Sequence, residues 1–380
     1  MKVAKIYLIR HCESEGNACR RTQAHVDALV TTKGYEQCEM LRRRFEGVHI
    51  DAIYSSDSYR SIMTVQPIAA ERDLPVQVRI LLREVTTGIW EDSAWGNIEK
   101  EYPEDHDHWS NSPWNMTAPG ASTFQQVSDR LIYGMRRIAK EVGDGTALVV
   151  SHSCSIKASL CTILGKPMTE VKELGHGDNT SVSLLNIDEN GNITVEFMND
   201  DSHLPAHLRR AWAGMAGSSI NMAVYPCSLP EQKEKLLTLA EAAFHETEGA
   251  EAVFNREAYL KDAEMLLKEK PNYIAFSYLQ GKLTGFVRLG FDADLPKKSG
   301  YLERMYLIPE LQGKGYVDQL FGYGAHEMRY EGKDNLVMKK DCTEDEKRVI
   351  DRFVFHNMNG FPEYVQIGLF TPMSSYHILA

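Results

Sequence analysis

An α/β layer fold on a mostly parallel sheet, followed by a second and differently built α/β unit, is what this sequence predicts. Three observations carry that expectation. Short apolar strands alternate with amphipathic helices over about residues 3–164, the alternation that builds a parallel sheet covered by helices. The pattern is lost over 201–219 and then restarts in another order. The 380 residues are too many for one ordinary domain and comfortable for two.

Residues 3–9, VAKIYLI, form a short apolar run rich in β-formers and predict a buried strand. Residues 31–46 have helical spacing, with Tyr35, Cys38, Leu41 and Phe45 on one face. Residues 50–56 predict a second strand, 61–71 a helix, and 74–82 a third strand. An amphipathic helix follows over 127–142, a fourth strand over 146–152, and a helix from about Ser155 to Leu164. The runs 181–188 and 193–199 flank the turn ENGN and predict a hairpin. Small residues and Gly cluster toward 219, so the units divide into 1–205, a linker over 206–220, and 221–380.

The second unit opens on a helix over 228–246, with Ser228 as its N-cap and Pro230 in the first turn. Two strands follow around a Gly-containing turn in 272–291, and another over 301–309. The Gly-bearing loop QGKG then opens a helix over 316–331. A strand over 335–340 and a helix over 343–357 complete the pattern.

The formal net charge is -11. A nucleic-acid binder needs a basic face to release counterions, so that class is excluded. Anionic substrates are not, because a local cluster of Arg and His can dominate one cleft. The seven Cys are scattered and odd in number, with no C-x-x-C pair, which argues against a disulfide framework and for a reducing cytoplasm. The apolar run at the N-terminus is too short for a signal peptide, and no stretch reaches the length of a membrane span. The thirteen His are not at metal-ligand spacing, so no metal is expected.

Ligands of α/β sheets bind at the carboxyl ends of the strands. Arg10 and His11 end the first predicted strand. Ser55 and Ser56 end the second, with Arg60 one turn beyond, and His152 ends the fourth. Two Arg, two His and backbone N–H groups at helix starts suit a phosphate. A neutral imidazole can attack phosphorus and split one displacement into two. The leaving oxygen then needs a proton from a carboxylic acid of raised pKa. Glu84, at the end of the third predicted strand, is placed for that, with Glu13, Glu15 and Glu91 as the competing carboxylates nearby.

These residues resemble the histidine phosphatase, or phosphoglycerate-mutase-like, superfamily. IYLIRHCESEGN (6–17) is similar to its R-H-G-E-S-x-x-N motif, with Cys12 where Gly is usual. DALVTTKGYEQ, YSSDSYRSIMT, LLREVTTGIWED and VVSHSCSIK follow in the family's order. The resemblance covers roughly residues 1–200 and implies a three-layer α/β/α fold. It implies His11 as nucleophile, Arg10, Arg60 and His152 as holders of the phosphoryl oxygens, and Glu84 as acid and then base. Asn17 and the Ser153 amide would add hydrogen bonds. Ser122, in PGAST (119–123), replaces a usual Glu, and Ser153 replaces a usual Gly. GIWED resembles the phosphatase branch more than the mutase branch, which stays as the alternative. The tract 109–115, WSNSPWN, either covers the substrate or packs as a lid.

In the second unit a loop with Gly313 and Gly315 opening a helix offers bare N–H groups to a pyrophosphate. RMYLIPELQGKG resembles the strand and loop of GNAT N-acetyltransferases, and FVFHNMNGFPE (353–363) their late F-Y-x-x-x-G-F element. The resemblance covers about 221–380 and implies a mixed α/β domain. Gln312, Gly313, Lys314, Gly315 and Tyr316 would bind acetyl-CoA, with Val317 bulkier than the usual Gly or Ala. Glu303 would be a base for the substrate amine, and His356, where a Tyr often stands, an acid for the leaving thiolate. The expected partners are a small phosphorylated metabolite and an amine, without nucleic acid or membrane. A domain that only senses an acyl-CoA is the other reading.

Overall fold

A computed structural model of the chain describes residues 2–210 and 219–371. Part of the expected linker, 211–218, lies outside the described residues. No helix among the described residues is long and apolar enough to cross a membrane.

The first unit runs β1 (Val3–Arg10), α1 (Glu15–Ala18), α2 (Thr32–Arg44), β2 (Ala52–Ser55), α3 (Tyr59–Arg72) and β3 (Val76–Val78). It continues α4 (Trp95–Glu101), α5 (Pro103–Asn111), α6 (Phe124–Val142), β4 (Thr146–Ser151), α7 (Ser153–Ile163), β5 (Val182–Asp188) and β6 (Ile193–Asp200). Its six strands lie in the order β3-β2-β4-β1-β5-β6. β1, β2, β3 and β4 are mutually parallel, while β5 and β6 add an antiparallel edge.

Side chains of a strand alternate between its faces, and both faces here are apolar. Ile6, Leu8 and Val149 meet α6 and α7 through Leu131, Met135 and Leu160. Ile9, Leu148 and Val150 meet α2 and α3 through Leu41, Phe45 and Ile68. The result is three layers. The strand expected over 74–82 is confined to Val76–Val78, because the chain turns into a 3-10 helix at Ile80–Leu82. Glu84 therefore follows a helical turn rather than a strand. The α7 helix starts at Ser153, two residues earlier than expected.

The second unit runs β7 (Ala223–Pro226), α8 (Lys233–Glu248), α9 (Arg256–Glu269), β8 (Ile274–Leu279), β9 (Lys282–Gly290) and β10 (Ser299–Leu307). After these come α10 (Val317–Tyr330), β11 (Asn335–Lys339), α11 (Glu344–Arg352), β12 (His356–Met358) and β13 (Phe361–Gly368). The sheet order is β12-β13-β11-β10-β9-β8-β7. Only β10 and β11 pair in parallel, over Ser299–Tyr301, and then they part. Ser228 does not cap α8, which begins five residues later at Lys233 behind Gln232. The helix expected over 343–357 stops at Arg352, and a hairpin of β12 and β13 takes the rest.

The two units share a core. Ala18, the last residue of α1, and Cys19 after it pack with Leu320, Phe321 and Leu302 of the second unit. A Cβ on Gly322 would stand 2.6 Å from that of Cys19, so α10 approaches the first unit at backbone distance. Asn97 of α4 pairs with both the N–H and the carbonyl of Val224 on β7, at 2.9 and 3.0 Å.

Candidate active site

β1 delivers Arg10 and His11 to the carboxyl edge of the sheet, where the His11 amide donates to the Ser151 carbonyl at 3.0 Å. The His11 Nδ1–H donates to the Cys12 carbonyl at 2.7 Å. Its Nε2 is thereby the nitrogen with the free lone pair. Burial holds the His11 pKa well below the usual imidazole value, and Arg60 and Arg10 push the same way. A neutral imidazole beside two guanidinium groups is a nucleophile facing an anion site.

Arg60, fully buried on α3, spends Nη2 on the Gln23 and Ala24 carbonyls, both at 3.1 Å, and on His152 Nδ1 at 3.3 Å. His152 stands at the N-cap of α7, and its Nε2 lies 2.7 Å from Ser56 Oγ. Its pKa is also held well below the usual value, by burial and then by Arg60. The His11 and His152 rings are 5.1 Å apart between centroids. Arg10 donates to the Gly177 carbonyl at 2.8 Å, and burial beside Arg210 lowers its pKa to about 10. Arg10, His11, Arg60 and His152 are thus drawn to one sheet edge.

Glu84 sits on the first turn of α7. One oxygen accepts the Ser155 amide and hydroxyl, both at 2.9 Å, and the other the Cys154 amide at 3.0 Å. A carboxylate suits the positive end of a helix. The competing carboxylates point elsewhere. Glu91 accepts the amides of Ala24, His25 and Val26 at 2.8, 2.8 and 2.7 Å. Glu13 and Glu15 pair with Arg352 and Arg329 of the second unit. Asn17 closes a capping box with Ser14, and its Oδ1 accepts from Asn179 Nδ2 at 3.3 Å. Ser153 Oγ lies 3.2 Å from His176 Nδ1.

Four contributors were missed by sequence reasoning. Gln23 supports Arg60 and keeps a buried Oε1 that has no donor among the described residues. Ser155 holds Glu84. Asn179 donates to the His11 carbonyl at 2.9 Å. Arg130 donates to the Glu84 carbonyl at 3.0 Å. Gln23 and Ser155 sit inside or beside motif segments and could have been found, whereas the fold alone brings Asn179 and Arg130 in. Trp109 packs against Trp95 and Phe124 at 5.3 and 6.0 Å, in an aromatic cluster around Trp90.

In the second unit, Glu303 lies at an irregularity of β10 and accepts from Arg288 Nε at 2.8 Å. Both line a cavity of about 660 Å³, which Tyr301, Arg304, Met338 and Cys342 also border. His356 is exposed on the edge strand β12 and is not among the lining residues. Gly313 and Gly315 take φ of +70° and +81°, so the loop needs glycine there. Lys314 is exposed on the loop, and Arg348 Nη1 donates to the Gly313 carbonyl at 2.6 Å. Gln312 ties the loop to the Leu307 carbonyl at 2.8 Å, and the Tyr316 hydroxyl donates to the Ser219 carbonyl at 3.0 Å. These glycines and cations fit the pyrophosphate of a CoA. Two backbone donors are already taken, however. Asp345 accepts the Gly313 amide at 2.9 Å, and Glu346 the Met305 amide at 2.8 Å where β10 and β11 part. The first turn of α11 thus packs its carboxylates against the glycine loop and β10. Among the described residues no group of three or more His, Cys, Asp or Glu is arranged to hold a metal ion.

Comparison with known proteins agrees with both units. Residues 6–201 match the family model described as Histidine phosphatase superfamily (branch 1), and 234–353 the Acetyltransferase (GNAT) family. Phosphoserine phosphatase 1 of Hydrogenobacter thermophilus is 29% identical over 202 residues, 53% of this chain and 95% of that protein. The "Probable phosphoglycerate mutase GpmB" of Salmonella choleraesuis is 29% identical over 206 residues, again 53% and 95%. The solved structure of Bacillus stearothermophilus YhfR superposes with a TM-score of 0.51 at 28% identity, covering 53% of this chain and 98% of its own. The chain belongs to the histidine phosphatase superfamily (branch 1), with a GNAT-type domain joined behind the phosphatase-type domain.

Proposed function

We propose that the first domain is a phosphomonoester hydrolase that works through phospho-His11. The free Nε2 of His11, set between Arg10, Arg60 and His152, is the observation that carries this reading. In the first step Nε2 forms a bond to phosphorus while the ester P–O bond breaks, and Glu84 gives its proton to the leaving alkoxide. In the second, Glu84 takes a proton from water, whose oxygen attacks phosphorus and releases inorganic phosphate and neutral His11. Arg10 and Arg60 neutralise the transferring oxygens with His152 as a neutral hydrogen-bonding partner, and positioning with charge compensation supplies most of the catalysis. Asn17 and the Ser153 amide, at the edges of the same site, would complete the oxygen cage. The Cys12 carbonyl fixes the ring and stabilises the charge on the phosphorylated imidazole.

A phosphomutase is the second reading, favoured by likeness to the GpmB protein. Hydrolysis of p-nitrophenyl phosphate by wild type and His11→Ala, with EDTA throughout, tests the first. Activity that survives EDTA and vanishes with His11 supports it. Activity that persists without His11 ends it. Recovery of a transferred phosphoryl group on a second hydroxyl, rather than of free phosphate, would favour the mutase. The likeness to a phosphoserine phosphatase puts phosphorylated amino and hydroxy acids first among substrates to try.

For the second domain, divided from the first within 206–220, the reading is acetyl-CoA-dependent acetylation of an amine. Its support is the glycine conformation of the Gln312–Tyr316 loop and, separately, the cavity that Glu303 lines, with Glu303 as base. The exposed position of His356 leaves it without support as the acid. Free thiols at all seven cysteines suit a reducing cytoplasm.

A further inference from the structure

Glu13 and Glu15 follow His11 by two and four residues, and both are buried, at 6% and 1% exposure. Each meets a guanidinium from the second domain. Arg329 of α10 grips both Glu15 oxygens, at 2.7 and 2.5 Å. Arg352, the last residue of α11, donates to Glu13 at 2.8 Å and stands 3.2 Å from Asp318. Thr31 Oγ1 donates to the same Glu13 oxygen at 2.9 Å, and Lys33 stands 3.4 Å from the other.

Glu15 is the first residue of α1, which is four residues long. One helical turn does not hold its own shape, since nucleation is unfavourable without outside contacts. Yet α1 carries Asn17, whose Oδ1 shares Asn179 Nδ2 with the His11 carbonyl, at 3.3 and 2.9 Å. A continuous path therefore runs from Arg329 through Glu15, Asn17 and Asn179 to the backbone of His11. Burial of the anions sharpens the dependence. An exposed ion pair contributes little, but a carboxylate left buried without its cation must find water or another guanidinium.

We propose that Arg329 and Arg352 are positioning residues for the phosphoryl-transfer site, holding the segment behind His11 through Glu15 and Glu13. The proposal rests on the phosphohistidine reading for its catalytic meaning, but its test does not. The GNAT-type domain is on this account a structural part of the phosphatase site, whatever it does with an acyl-CoA.

The experiment uses full-length Arg329→Met and Arg352→Met, each also combined with its neutralised partner, Glu15→Gln or Glu13→Gln. Two quantities are read: kcat/KM on p-nitrophenyl phosphate, and the affinity and stoichiometry of orthovanadate by calorimetry. Vanadate needs only the oxygen-binding cage, so its affinity reports the site even in an inactive protein. Arg329→Met is expected to weaken vanadate binding about tenfold at unchanged stoichiometry, and the double variant to recover most of that loss. A loss of stoichiometry at unchanged affinity would mark a folding defect and overturn the proposal, as would affinity within about twofold of wild type. Should Arg329→Met fail to fold, Arg329→Lys and the Arg352 pair carry the same comparison. Failure of the phosphohistidine reading shows separately, as hydrolysis that survives His11→Ala.

Discussion

The Nδ1–H of His11 donates to the carbonyl of Cys12 at 2.7 Å, and this one bond decides which imidazole nitrogen is free. With Nδ1 committed to a backbone acceptor, Nε2 is the only lone pair the ring can offer. His11→Ala should therefore lower hydrolysis by about 10⁴-fold or more, the scale on which loss of a nucleophile is felt. Incubation with a labelled phosphate ester, quenched in alkaline detergent, should trap a base-stable, acid-labile phosphoprotein from wild type and none from the variant.

Acid should destabilise the fold at an unusually mild pH. Burial holds His11 and His152 well below the normal imidazole value, His203 at about 4 and His176 at about 3. Each then binds its proton more readily in the unfolded chain than in the folded one. Stability rises with pH wherever the unfolded state binds more protons. The contribution is complete above the unfolded imidazole pKa of about 6.5 and is lost as pH falls below it toward the folded values. The melting temperature should fall between pH 7.5 and 5, and an unchanged or rising value would contradict these assignments. Because His11 stays neutral through that range, hydrolysis measured below the melting point should keep its rate to well under pH 6.5.

Glu84 is held on the start of α7 by two amides and the Ser155 hydroxyl. If it protonates the leaving oxygen, Glu84→Gln should cost about 10²–10⁴-fold on an alkyl phosphate, the usual worth of a positioned acid. The cost should be smaller on p-nitrophenyl phosphate, whose phenolate leaves without help. Equal losses on both esters would assign Glu84 a structural role.

Asp345 and Glu346 accept the Gly313 and Met305 amides, and Asp345 Oδ2 has no hydrogen-bond partner among the described residues. The double change Asp345→Asn and Glu346→Gln removes two negative charges beside the pyrophosphate loop. Calorimetry should show CoA binding about tenfold more tightly to that variant than to wild type. Unchanged or weaker binding would mean that the carboxylates do not compete with the nucleotide.

The shared core predicts a shared transition. Phe321 stacks on Phe353 at 4.3 Å, in the cluster that also contains Ala18 and Cys19 of the phosphatase side. Phe321→Ala should cost about 3–5 kcal/mol. Hydrolytic activity, which reports the first domain, and tryptophan fluorescence, to which Trp90, Trp95, Trp109 and Trp114 contribute from that domain, should be lost in the same thermal step as far-UV ellipticity. Two separated steps would show that the domains melt independently.

Much of this was legible along the chain. The ends of β1, β2 and β4 could be placed because an apolar run stops where its side chains leave the core, so Arg10, His11, Ser56 and His152 announced their own neighbourhood. Errors fell where a local signal competed with a distant contact. Residues 80–82 have the composition of a strand, yet the Ser151 hydroxyl donates to the Leu82 carbonyl at 2.8 Å within a 3-10 turn, which sets the course into Glu84. Ser228 looks like a cap, but its amide instead donates to Gln232 Oε1 at 2.9 Å.

By itself the sequence determined the two α/β units, the residue types of the phosphate cage and the glycine loop, since strand ends, helix periods and turn residues are set by neighbours a few positions away. Only the tertiary structure decided which carboxylate belongs to the chemistry. Glu13, Glu15, Glu84 and Glu91 are alike as letters near motif ends. They differ because Arg352 and Arg329, more than 300 positions along the chain, claim the first two, while the backbone of 24–26 claims Glu91 and the start of α7 holds Glu84. A carboxylate's role is set by the charge it meets in space, and that charge comes from whichever element the fold packs against it.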